Sequence, residues 1–103
     1  MKTYAVDRNK WQKLSLFEQM GNIGSEVGRT FREESRGDNC KEAMTRALDL
    51  FEATAASNGR TFAQLKEILR SKEEYLSAIE NQDKRPGVEN YFMQFGIAAR
   101  INR

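Results

Sequence analysis

From Leu16, apolar residues return at steps of four, three, four and four: Leu16, Met20, Ile23, Val27 and Phe31 share one face of a helix. Ser15 and Glu18 have the spacing of a capping box, and Gly37 closes the run, so the pattern predicts a first long helix over 16–36. A second set, Cys40, Met44, Ala47, Leu48, Phe51 and Ala55, predicts a helix over about 39–57, capped by Asp38 or Asn39 and ended by Asn58 and Gly59. Thr61 and Gln64 form another capping box. After it, Phe62, Leu65, Leu69, Leu76 and Ile79, with Ile68 and Tyr75 widening the face, predict a helix over about 62–80. Residues 81–87 hold the only proline and read as a loop. Val88, Tyr91, Phe92, Phe95, Ala98 and Ala99 then give a last helix over about 88–100.

Ahead of these, Asp7 has the chemistry to cap a short helix around 8–13 that carries Trp11, while Tyr4 and Val6 suit an extended arm. No stretch alternates like a strand, and short connections force consecutive helices to reverse. The expected architecture is an all-α, up-down-up-down four-helix bundle with a short N-terminal helix or arm. It reads as one helical domain over 1–103, with the arm at 1–14 and the bundle at 15–103.

Composition narrows the chemistry. Among 103 residues there is no histidine, which removes imidazole-based hydrolysis, His-ligated zinc and proximal-His haem. The single cysteine, Cys40, falls in an apolar helical phase and has neither a second thiol nor an imidazole beside it, so it reads as a buried, inert thiol. No metal site, cofactor or catalytic residue is expected. The acidic pairs Glu33-Glu34 and Glu73-Glu74 invite comparison with the all-α nucleotide pyrophosphatases, but Gly37 and Ser77 stand where further magnesium ligands are required. No run approaches the ~20 apolar residues of a spanning helix, and the first ten residues lack the apolar core of a signal peptide. A cytoplasmic location without membrane contact is the expectation.

Seventeen basic and fifteen acidic residues alternate along the chain, which suits solvated helix faces with i,i+4 pairs. Nucleic-acid binding is the second reading, resting on Arg29, Arg32, Arg36, Lys84, Arg85 and Arg100. A small-molecule or nucleotide site is the third: Asn22, Ser25, Glu26 and Arg29 form a polar stripe on the first long helix. Beside it run Gly21, Gly24 and Gly28. Interior glycines each cost a helix about 0.5–1 kcal/mol against alanine, so three in eight residues point to close helix contact.

The stretch from Trp11 to Val27, with its Asn22-Ile23-Gly24-Ser25-Glu26 core, then Arg46-Ala47-Leu48-Asp49-Leu50, Leu65-Lys66-Glu67-Ile68, and Tyr91-Phe92 with Phe95, Ala98 and Ala99, resembles a group of small, functionally uncharacterised bacterial helical-bundle proteins. The resemblance implies a bacterial source and a helical bundle, and it carries no activity. A looser likeness to HEPN-type bundles lacks the histidine of their nuclease motif.

A non-catalytic interaction or structural module is therefore the leading expectation, with a homo-oligomer or another protein as partner. Met93, Ile97 and Ile101 recur every fourth residue opposite Tyr91 and Phe95, giving the last helix a second apolar stripe. The expected cover is a second copy related by a two-fold axis; the alternative is the N-terminal arm with Tyr4, Val6 and Trp11.

Overall fold

The computed structural model describes residues 6–101. It holds five α-helices: α1 (Arg8–Trp11), α2 (Leu16–Ser35), α3 (Lys41–Ala56), α4 (Phe62–Glu80) and α5 (Arg85–Ile101), with one 3-10 turn at Gln82–Lys84. α2 packs most extensively against α5 and then α3. α3 meets α4, and α4 meets α5, closing the ring of a four-helix, up-down-up-down bundle. Among the described residues there is no strand, and no helix is long and apolar enough to cross a membrane.

Local chemistry sets the helix ends. Asp7 caps α1 by accepting from the amides of Asn9 and Lys10. Both capping boxes close. Ser15 Oγ accepts from the Glu18 amide at 3.1 Å while Glu18 Oε1 accepts from the Ser15 amide at 2.9 Å. Thr61 and Gln64 repeat the exchange at 3.1 and 3.0 Å. Gly37 and Gly59 take φ of 76° and 81°, the left-handed turn that ends α2 and separates α3 from α4.

The core is aromatic at its centre. The Phe51 ring lies 5.8 Å from Tyr75 and 5.9 Å from Phe92, and Phe31 closes on Tyr75 at 5.9 Å. Met20, Ile23, Val27, Ala47 and Ile68 fill the space around them. Tyr75 Oη shares a 2.9 Å bond with Thr30 Oγ1, and burial pushes the Tyr75 hydroxyl up to about 12. Each fully buried Val, Ile, Met or Phe side chain of this core stabilises the fold by roughly 1.5–3 kcal/mol.

Three local expectations need correction. α4 turns Ile68, Ser71, Tyr75 and Ala78 inward, leaving Phe62, Leu69 and Leu76 on the outside. The inward face mixes two large side chains, Ile68 and Tyr75, with the small Ser71 and Ala78, so the run of leucines does not mark the buried face. α5 begins at Arg85, three residues earlier than the periodicity indicates, because Pro86 sits in its first turn, where the missing N–H has no helical partner to lose. α3 is capped at Cys40 with no side-chain bond; Asn39 instead accepts from the Lys41 amide at 3.0 Å, and Asp38 pairs with Arg36.

The described part of the N-terminal arm lies along α3. Trp11 Nε1 donates to Thr54 Oγ1 at 2.9 Å, and the Val6 amide donates to Asp49 Oδ2 at 2.8 Å. Gln19 fastens it from α2: its amide donates to the Trp11 carbonyl at 2.7 Å and to Ser57 Oγ at 3.3 Å, while its carbonyl accepts from Arg60. Val6 and Trp11 are thereby committed to α3, away from the outer stripe of α5; Tyr4 lies outside the described residues.

Candidate functional site

The polar stripe of α2 divides. Asn22 is exposed and donates to its own helix, at the Glu18 carbonyl. Ser25 lines a groove of about 290 Å³ between α2 and α5. Arg29 lies 3.5 Å from Glu26 and hydrogen-bonds Glu33 at 3.1 Å, and the Glu33 bond raises its already high pKa. Glu26 Oε1 is buried beside Arg29 in an ion pair that lacks hydrogen-bond geometry. The carboxylates and the guanidinium face one another, so little of their bonding capacity points outward.

The glycines draw α2 onto α5. A Cβ on Gly24 would stand 2.8 Å from Phe92 Cβ, and one on Gly21 would stand 3.0 Å from Gly96 Cα. Gly28 has more room, its nearest neighbour being Arg32 Nη1 at 3.3 Å. Gly21 and Gly24 thus allow backbone and ring to approach α2 where any side chain would block them.

The cations of the basic set are differently placed. Arg36 pairs with Asp38, both exposed, an interaction worth little. Arg85 is buried and cannot meet a phosphate. Its Nε donates to the Ala78 carbonyl at 2.8 Å, Nη2 to the Ile79 carbonyl at 2.6 Å and Nη1 to Ser35 Oγ at 3.2 Å, over the Phe31 ring at 5.6 Å. The guanidinium satisfies the last carbonyls of α4, where a cation also meets the negative end of the helix dipole. Lys84 donates to Ser77 Oγ at 2.9 Å.

Cys40 donates to Glu34 Oε2 at 3.4 Å, and burial foremost pushes the thiol up, away from the reactive thiolate. Among the described residues no cluster of three or more acidic or thiol side chains is arranged to hold a metal.

One concavity has no counterpart in the sequence reading. A cleft of about 390 Å³ between α4 and α5 has Val88, Tyr91 and Phe92 as its floor and Glu67, Glu74, Asp83, Arg70 and Lys84 around it. Tyr91 donates to Glu67 Oε1 at 2.6 Å, and burial together with that bond holds its phenol protonated far above the usual range. Charges of both signs ring the cleft, so it selects no evident ligand class. Its parts come from two neighbouring helices and the turn that joins them, a juxtaposition no local motif encodes.

The exposed apolar side chains form the remaining surface. Phe62, Leu69 and Leu76 follow one another along α4. Met93, Ile97 and Ile101 follow one another along α5, and Phe17 of α2 packs against Phe95 of that helix at 6.0 Å. The core is filled without them.

Comparison with protein-family models, with curated proteins and with solved structures finds no match to this chain. No residue role is therefore carried over from the resemblance of the Trp11 to Val27 stretch.

Proposed function

We propose that the protein is a non-catalytic interaction module that works by docking through apolar helix faces, with a second copy of itself as the first partner. The observation that carries this reading is the exposure of Phe62, Leu69 and Leu76 on α4 and of Met93, Ile97 and Ile101 on α5. Scattered apolar residues are ordinary on a protein surface; apolar residues in file along a helix are the form taken by docking faces.

The competing readings receive less support. Glu26 and Arg29 engage each other and Glu33, which leaves the polar stripe few free groups for a nucleotide or other small molecule. Arg85 of the basic set is buried on the α4 carbonyls and Arg29 is paired with Glu26 and Glu33, which weakens a phosphate-binding surface built from them.

Sedimentation velocity over rising concentration tests the proposal. The expected result is a species of twice the 11.9 kDa chain mass whose fraction grows with concentration. A single-chain species up to the solubility limit overturns self-association.

A further inference from the structure

We propose that the self-association surface is the outer face of α4, two copies of which lie antiparallel about a two-fold axis that passes between Leu69 and Lys72. The inference rests on the docking reading above and names the surface and partner for it.

Along α4, Phe62, Leu65, Leu69, Lys72, Leu76 and Ile79 recur at alternating steps of three and four. That is the seven-residue repeat of a coiled-coil seam, in which the a and d positions meet a second helix. The bundle takes Ile68, Ser71, Tyr75 and Ala78 into its core and packs Ile79 at the core's edge, which leaves the outer half of the repeat, Phe62, Leu69 and Leu76, without a partner in the chain's own core. Phe62 is 77% exposed, Leu69 53% and Leu76 37%. Leu65, Lys72 and Ile79 are half-buried along the inner edge of the seam.

The pattern also discriminates between orientations. In a parallel pair each residue meets its own copy, which sets the two Lys72 ammonium groups together in an apolar seam. An antiparallel pair with its axis between Leu69 and Lys72 matches Phe62 with Ile79, Leu65 with Leu76 and Leu69 with Lys72, each match made twice by the symmetry. There the methylene stem of Lys72 covers a leucine while its ammonium reaches the rim.

Charge supports the same register. Lys66 and Glu73 lie on the solvent edge of the seam, both exposed. Within the chain Lys66 sits over the Phe62 ring, 5.7 Å from its centre, and no ion pair among the described residues engages Glu73. The antiparallel register brings Lys66 of each copy beside Glu73 of the other, one pair on either side of the axis. The stripe on α5 has no such complement. Paired antiparallel about Ile97, it sets Arg100 opposite Gln94.

Charge reversal in the full chain tests this, with sedimentation equilibrium as the readout and thermal unfolding as the check on folding. Lys66→Glu and Glu73→Lys each replace two attractive pairs by two repulsive ones and are expected to raise the dimer Kd about tenfold or more, since rim pairs are individually weak. The double variant restores opposite charges and is expected to return the Kd to within about threefold of wild type. The Met93→Lys, Ile97→Lys variant is expected to dimerise as wild type does. Single reversals that leave the Kd unchanged, or a folded double variant that fails to recover, overturn the α4 register. If the α5 variant alone abolishes the dimer, self-association stands and its assignment to α4 falls; a monomeric wild type removes both.

Discussion

At the scale of single residues, the glycines separate by what surrounds them. Gly24 faces the Cβ of Phe92 so closely that a methyl group alone meets it at 2.8 Å, whereas a Cβ on Gly96 meets nothing within 4 Å. Both lie inside helices, where alanine is preferred by about 0.5–1 kcal/mol. The signs of the two substitutions should therefore differ. Gly24→Ala is expected to destabilise by about 1–3 kcal/mol through overpacking, and Gly24→Leu by more than about 2 kcal/mol. Gly96→Ala is expected to stabilise by up to about 1 kcal/mol. Urea unfolding of the three variants checks the contrast; equal stabilities for Gly24→Ala and the wild type would show that α2 and α5 do not approach at this point. The sequence could place Gly24 on a contact stripe by its spacing. It could not say that Phe92 is the neighbour or that Gly96 faces open space, because both depend on how two distant helices cross.

At the scale of helices, the strongest local signals were the ends. Asp7, Ser15, Thr61, Gly37 and Gly59 act where their own short-range chemistry puts them, since a cap or a left-handed turn needs only a few neighbouring residues. Helix phase was legible where one apolar stripe dominates, as in α2, and misleading in α4. There the leucines and Phe62 outweigh Ser71 and Ala78 by hydrophobicity, yet the face that turns inward is the one on which Ser71 and Ala78 accompany Ile68 and Tyr75.

The start of α5 was hidden for a related reason. Arg85 reads as an exposed charge beside a proline, but the fold places it at the end of α4, where three nitrogens find oxygen partners. Arg85→Ala is expected to cost about 2–4 kcal/mol, since the Ala78 and Ile79 carbonyls lose charge-assisted bonds in a buried place. Arg85→Lys should recover only part, because one ammonium cannot reproduce the planar fork. Denaturation midpoints measure both; a loss below about 0.5 kcal/mol for the alanine variant would contradict the clamp.

At the scale of the whole molecule, the four helices enclose one core and leave two files of apolar side chains outside it. The bundle follows from the amphipathic spacing and short connections. The stripe on α5 is legible in the sequence as a second apolar face, whereas on α4 the stripe and the core residues occupy adjoining faces and read as one broad apolar face. Only once Ile68 and Tyr75 are seen pointing inward does the three-four repeat from Phe62 to Ile79 stand as a separate seam. Methyl NMR of the wild-type chain, recorded from dilute to concentrated solution, tests the central claim most directly. The antiparallel dimer predicts that the methyl resonances of Leu69, Leu76 and Ile79 shift with concentration while those of Ile97 and Ile101 stay in place. Shifts confined to Ile97 and Ile101, or none at any concentration, would contradict it.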